Sequence, residues 1–405
     1  MKKRLYKLCT VSTLIWAISA CADPHHARQG KFLQSKAQSA KWDVFEGNDN
    51  IKKMAIALVD QYSQSIFDEG DPSGMAMVVI DNNHVIHRSF GETYPGSGVK
   101  PRQDSLIRIA SITKLMTSEV MIKLAEKEHL KITDPLQKYS HYGVQIPDYS
   151  ASQPIRLYHL ASHTSGLPRE QPGGKWGRPV FIWPTQTNRW VWLKTARLDV
   201  APGTTASYSN LAYDLLADAL AKAAGKPYIH LLQEEITRPY QMNDTTLTPS
   251  QSQCARLMAG IKPSPCINTI AAAGSGGIYS TPADMQRWMQ QFLSSHHQLR
   301  KQTASREQGI YFKRANLMSV KGMDVAGLAD GIGLGWVYME TKGDKPGIYQ
   351  KTGGGGSFNT YMAMIPEQNI GVFVVITRKE KSKFNRVTSG VNELVSALAR
   401  NHSQI

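Results

Sequence analysis

Strand-like runs lie at the two ends of this chain with a long helical stretch between them, and this order constrains the fold more than any single motif. Met75 to Ile80 and His84 to Phe90 are β-rich and are joined by Asp81-Asn82-Asn83, which has the turn chemistry of a hairpin. Further β-like runs follow only at Gly333 to Met339, Gly347 to Thr352, Tyr361 to Ile365 and Ile370 to Ile376. The simplest arrangement lets both ends share one antiparallel sheet, with the middle inserted as a mostly helical part. The expected class is therefore α+β. Helical spacing at Ile51 to Phe67 (Met54, Ala55, Leu58, Val59, Tyr62, Ile66) and at Val387 to Leu398 places a helix at each end to flank the sheet. Residues 49–110 and 326–405 are expected to form the sheet part and 111–325 the helical part, together one unit without internal repeats.

The helical part opens on Ser111-Ile112-Thr113-Lys114. Residues i and i+3 share a helix face, so the amine of Lys114 can reach the hydroxyl of Ser111, which makes a nucleophile and a candidate base. Leu115, Met116, Val120, Met121, Leu124 and Ala125 follow at helical period, with Ser118, Glu119, Lys123 and Glu126 between them. A buried helix starting near Ser111 would point its unpaired N–H groups and its dipole at a developing negative charge. A second match, Ser97-Gly98-Val99-Lys100, lies in a Gly/Pro loop with no helix after it and is read as chance. Two further helix starts are legible: Leu211 to Ala224 after Tyr208-Ser209-Asn210, and Thr281-Pro282-Ala283-Asp284, with threonine as cap and proline at the first position.

The chain's 405 residues, 41% of them hydrophobic, are enough to bury a sizeable core. Its charge of +15 suits an anionic partner. Nucleic acid is not expected, because no basic run interleaved with aromatics, zinc spacing or recognition-helix pattern accompanies that charge. Residues 1–20 read as an export leader: a basic start, an apolar run from Leu8 to Ala17 too short to span a bilayer, then small residues. Ile18-Ser19-Ala20-Cys21 resembles a lipobox, in which Cys21 would be lipidated, and Ala22 at the next position fits sorting to the outer membrane. The competing reading is ordinary cleavage at Ala20-Cys21-Ala22. Residues 21–48 are polar and read as a tether. The remaining cysteines, Cys254 and Cys266, are expected to pair in an oxidising compartment, closing a loop for which chain entropy gives about 3 kcal/mol.

His84 and His87 fall on opposite faces of a strand. His159 and His163 stand at i, i+4 but lack an HExxH pattern or a cysteine partner, so no metal is expected at either pair. Four tryptophans, Trp176, Trp183, Trp190 and Trp192, read as core, with the rim of a site as the alternative.

Lys351-Thr352-Gly353 completes an ordered set with Ser111-x-x-Lys114 and Tyr208-x-Asn210. On these three motifs the chain resembles the serine penicillin-recognising superfamily, and Tyr-x-Asn at the middle position points to its class C β-lactamase-like branch. Arg108-Ile-Ala-Ser-Ile-Thr-Lys-Leu-Met-Thr-Ser, Leu167-Pro-Arg-Glu-Gln-Pro-Gly-Gly and Gln350-Lys-Thr-Gly-Gly-Gly-Gly are similar to AmpH-type D-alanyl-D-alanine carboxypeptidase/endopeptidases. These are low-molecular-mass penicillin-binding proteins that trim peptidoglycan.

The resemblance implies a β-lactamase/DD-peptidase-like fold and acyl transfer through Ser111, with no cofactor. Lys114 is the implied base if burial and the nearby cation Lys351 keep it partly neutral. Tyr208 is the rival base or a proton relay, and Asn210 offers its amide to Lys114 and to the substrate. The backbone N–H groups of Ser111 and Gly354 would hold the oxyanion, Lys351 and Thr352 the substrate carboxylate. The run beginning at Gly353 permits close backbone approach. Implied partners are peptidoglycan stem peptides, β-lactam antibiotics and the membrane through a lipid anchor, in the periplasm. The alternatives are a class C-type β-lactamase, an esterase or D-amino-acid amidase of the same fold, and a non-catalytic penicillin-binding sensor or wall lipoprotein. Gly354-Gly355-Gly356 in place of a Ser-Thr-Gly-Gly type of sequence argues modestly against the first.

Overall fold

The computed structural model describes residues 49–172, 183–293 and 298–402. The leader, the tether, Cys21 and Trp176 lie outside them.

Helix α1 (Asp49–Gly70) leads into strands β1 (Gly74–Asp81) and β2 (His84–Gly91), the expected hairpin. Helix α2 (Thr113–Glu126) opens the helical part, which also contains α3 (Asn210–Ala224) and α4 (Pro282–Leu293). The chain then supplies β3 (Phe312–Lys313), β4 (Gly331–Ile332), β5 (Val337–Met339), β6 (Ile348–Gly355), β7 (Phe358–Ile365) and β8 (Ile370–Thr377), and ends in α5 (Phe384–His402). Among the described residues these strands form one eight-stranded sheet in the order β2-β1-β8-β7-β6-β5-β4-β3. Every pairing in it is antiparallel, and β1 lies between β2 and the last strand, β8. The two ends of the chain thus share one sheet, as their strand-like runs require.

Side-chain alternation explains why those runs look uniformly apolar. Met75, Met77 and Val79 of β1 pack with Val372 and Val374 of β8 against Ala55 and Val59 of α1 and Val391, Leu394 and Leu398 of α5. The intervening Ala76, Val78 and Ile80 join a second core with Phe373 and Val375, α2 and Met285, Trp288 and Met289 of α4. Strands covered on both faces lose the polar half of the alternation. The order of strand-like runs therefore carried more information than period did.

Two local features differ from expectation. Ser111 sits in a 3-10 turn, Ala110–Ile112, and the α-helix proper starts at Thr113. Gly333 to Trp336 form a turn closed by Gly333 N–H donating to Trp336 O at 2.9 Å, so the strand expected from Gly333 begins only at Val337. Gly335 supplies the positive φ of +83° that the turn needs. The buried helix expected from Ser111 onward is found in α2, and it takes polar residues inside with it. Ser118 and Glu119 are buried, Ser118 bonded to the Tyr213 hydroxyl at 3.0 Å and Glu119 accepting from Trp288 Nε1 at 2.7 Å and paired with Lys123 at 3.1 Å. Buried polar residues of this kind are kept by pairing, whereas Glu126 at the end of the helix is exposed.

Candidate active site

The backbone presents Ser111 by a strained turn. Ala110, the residue before it, has φ +46°, a region disfavoured for residues with a Cβ. The turn is fixed from the sheet side: Thr360 Oγ1 of β7 donates to Ile109 O at 3.0 Å. Gly353 of β6 lies directly against it, since a Cβ there would fall 2.8 Å from Ile109 O and 3.0 Å from Ser111 N. Only glycine lets the strand come this near the turn.

Five expected residues converge here. The Tyr208 hydroxyl donates to Ser111 Oγ at 2.6 Å, and Lys114 Nζ lies 3.2 Å from the same oxygen. Lys114 also donates to Asn210 Oδ1 at 2.7 Å and to Ser275 O at 2.5 Å. Lys351 Nζ stands over the Tyr208 ring at 4.9 Å, facing the phenol that Lys114 approaches at 4.8 Å. Thr352 and Gly353 follow Lys351 on β6, and Gly354 lines the cavity beside Ser111. Ser97, of the other Ser-x-x-Lys match, hydrogen-bonds Thr93 at 3.2 Å in a different loop.

Burial sets the electrostatics. Lys114 is fully enclosed, and desolvation of its ammonium lowers its pKa to about 7 against the opposing pull of Asp214 and Glu170. Desolvation likewise lowers Lys351 to about 8, with Lys114 and Arg169 adding repulsion and Tyr208 opposing. Asp214 is raised to about 6 by burial while accepting from Ser275 N–H at 3.0 Å and Ser275 Oγ at 3.1 Å.

Several residues near the centre carried no readable signal. Glu170 accepts from Asn210 Nδ2 and so fixes the amide with its oxygen toward Lys114. It lies in a sequence stretch already singled out, but nothing there assigned it a role. His163, buried with φ +60°, accepts from Ser209 N–H at 3.0 Å through Nδ1 and stacks on Tyr208 with ring centroids 4.5 Å apart. Burial and the cations Lys351, Lys114 and Arg169 hold its pKa well below the usual imidazole value, so it packs as a neutral ring. Of the tryptophans, Trp190 is core and donates to Asp218 at 2.8 Å, whereas Trp183 lines the cavity. Cys254 and Cys266 form a disulfide. It closes a segment whose Ser264 and Pro265 form one wall of the same cavity.

An α+β sheet-and-helix fold that sets a serine in a cavity wall and gathers two desolvated lysines and a tyrosine around it defines a serine acyl-transfer hydrolase. Residues 56–395 match the family described as Beta-lactamase. The chain belongs to that family, as a serine hydrolase of its β-lactamase/DD-peptidase class. It is 56% identical, over 86% of its length and 91% of the relative's, to the D-alanyl-D-alanine-carboxypeptidase/endopeptidase AmpH of Escherichia coli. A crystal structure of a beta-lactamase/D-alanine carboxypeptidase from Yersinia pestis, complexed with citrate, is 63% identical. It superposes with a TM-score of 0.83 over 86% of this chain and 99% of that one. The corresponding protein from Pseudomonas syringae shares the fold at 17% identity, with a TM-score of 0.69 over 86% of this chain and 99% of that one.

Proposed function

We propose that this chain trims peptidoglycan as a DD-carboxypeptidase and DD-endopeptidase through an acyl-enzyme on Ser111, and that penicillins acylate the same hydroxyl. The observation that carries the reading is the set of partners around Lys114 Nζ: two carbonyl oxygens, of Asn210 and Ser275, and one hydroxyl, of Ser111. A neutral amine has two N–H groups and one lone pair. The two carbonyls take the N–H groups and aim the lone pair at the serine proton, while a pKa of about 7 keeps much of the amine neutral.

Ser111 Oγ then attacks the carbonyl of the penultimate D-alanine as its proton passes to Lys114. The oxyanion forms between the N–H groups of Ser111 and Gly354, each such donor contributing a factor of about 10² to 10³ in rate. Tyr208, already bonded to Ser111 Oγ, relays the proton to the leaving amine. The C–N bond breaks, and water releases the acyl group by the reverse proton route. Lys351 and Thr352 hold the substrate carboxylate, and Gly353 allows the strand's close approach. The substrate assignment leans on the Escherichia coli relative named for both peptidase activities.

The test is incubation with purified muropeptides followed by mass analysis. Loss of one alanine from pentapeptides and conversion of cross-linked dimers to monomers are both expected. Rapid release of penicilloate with muropeptides left intact would instead make the chain a β-lactamase.

We also propose that lipidated Cys21 holds the enzyme at the periplasmic face of the outer membrane. Among the described residues no helix is long and apolar enough to cross a membrane. Radiolabelled palmitate is expected to enter the wild-type protein and to be lost in Cys21→Ser or with globomycin. A wild type that never takes up label would favour ordinary cleavage.

A further inference from the structure

Asp214 of α3 is a buried acid behind the reaction centre, and among the described residues no lysine or arginine meets it in an ion pair. Arg189 of the helix Gln186–Trp192 favours its charge through space but donates to Asp218 instead, from Nε at 2.6 Å and Nη2 at 2.8 Å. Both carboxyl oxygens of Asp214 turn to one residue. Ser275 N–H donates to Oδ1 at 3.0 Å and Ser275 Oγ donates to Oδ2 at 3.1 Å. The carbonyl of the same residue accepts from Lys114 Nζ at 2.5 Å. Asp214 thus holds the residue that aims the base. An acceptor-only carboxylate fits these two donors, and a buried acid without such partners would be costly.

The segment around Ser275 is tied down on three sides. Gly274 presses on α3 so closely that a Cβ there would fall 2.0 Å from Tyr213 O and 2.9 Å from Ala217 Cβ. Gly274 O accepts from Thr117 Oγ1 of α2 at 3.0 Å, and Ala271 O accepts from Arg189 Nη1 at 3.0 Å. Charge is arranged around the pair as well. Arg189 and Lys114 favour the carboxylate of Asp214, whereas Asp218, one turn along α3, opposes it. Tyr213 and Tyr228 are buried phenols held neutral by burial, the second donating to Thr117 Oγ1 at 2.9 Å. Around Lys114, Asp214 and then Glu170 favour the ammonium, Arg169 opposes it, and Lys351 stands across the Tyr208 ring. Asp214 is the stronger of the two acids acting on the base.

We propose that Asp214 is a positioning residue of the proton path: through Ser275 it aims Lys114 at Ser111, and its charge sets the pH range in which Lys114 takes the serine proton. The inference rests on the reading of Lys114 as the base and adds the group that tunes it. A carboxylate close to an ammonium favours the charged amine. The acid limb of acylation, where Lys114 becomes protonated, therefore lies at higher pH with Asp214 than without it.

The test is the pH profile of penicillin acylation in the full-length wild type, Asp214→Asn, Asp214→Ala and Ser275→Ala, with thermal melts to check folding. Asparagine can accept from Ser275 N–H while its amide donates to Ser275 Oγ, so it removes the charge and keeps the grip. Its acid limb is expected to move to lower pH by at least about half a unit, with the alkaline limb unmoved. Asp214→Ala moves the limb the same way and also lowers the plateau rate at least about tenfold, because Ser275 O is no longer held on Lys114. Ser275→Ala removes one hydrogen bond from the carboxylate, which then protonates more readily. Its limb is expected to move in the same direction by less, and this variant decides the matter if Asp214→Asn does not fold. An acid limb that stays at its wild-type position in the folded variants, whether or not the rate falls at every pH, overturns the role of Asp214 and leaves Lys114 as the base. An acid limb that persists in Lys114→Met overturns the base reading and this inference with it.

Discussion

Replacing Ser111 by alanine abolishes covalent labelling by a fluorescent penicillin, whereas Ser97→Ala leaves it intact. The expected effect is complete because the label needs an oxygen to bond to, and no other hydroxyl among the described residues shares the geometry of Ser111 Oγ. That atom has Tyr208 OH at 2.6 Å and Lys114 Nζ at 3.2 Å. Ser97 has the same spacing to a lysine in sequence, but its hydroxyl meets Thr93 in a loop with no helix behind it. Residual turnover without a nucleophile is known in this kind of chemistry, since oxyanion donors and binding alone retain about 10³ to 10⁴ over water. Labelling is therefore the sharper assay, and gel fluorescence after incubation with the probe reads it directly. A labelled Ser111→Ala protein would remove the serine from the centre of the mechanism. Alanine fits the turn without a clash, and the β6 backbone already packs there, so an unfolded variant is not expected.

The sheet and the helix starts were legible because each rests on local chemistry. Asp81-Asn82-Asn83 makes a hairpin by turn preference, and Thr281 caps α4 through Oγ1, which accepts from Asp284 N–H at 3.2 Å. The edge strand β3, Phe312–Lys313, was not visible, because two residues carry no period. Spacing alone gave Ser111 and Lys114 and motif order gave Tyr208, Asn210 and Lys351, but the residues that tune them come from distant segments. Glu170 reaches Asn210, Asp214 reaches Ser275, and Ser275 O reaches Lys114 only after the chain has folded. Trp183 and Trp190 show the same limit, as neighbours in one aromatic stretch of which one lines the cavity and the other is core. Composition cannot separate them, since the difference lies in which way the backbone turns between them.

Lys114→Ala lowers the rate of penicillin acylation by at least about 10² to 10⁴, the usual contribution of a positioned acid-base group. The variant also leaves Asn210 Oδ1 and Ser275 O without their donor. Lys114→Met, which keeps most of the buried volume, is the companion that separates lost chemistry from lost packing, with melting temperatures as the check. The pH profile makes the assignment specific. A base works when deprotonated, so a lysine pKa of about 7 gives an acylation rate that rises with pH through that value and falls tenfold per unit below it. Lys351 has the opposite requirement, because it must stay charged to hold a carboxylate. With a pKa of about 8, its loss of charge bends the profile down on the alkaline side. The wild type therefore shows a narrow bell between these values, read from stopped-flow acylation rates at constant ionic strength. Lys114→Met is expected to lose the acid limb and keep the alkaline one. If the acid limb survives without Lys114, it belongs to another group. Asp214, raised to about 6 by burial, is the nearest candidate, and the proton of Ser111 would then have to leave through Tyr208.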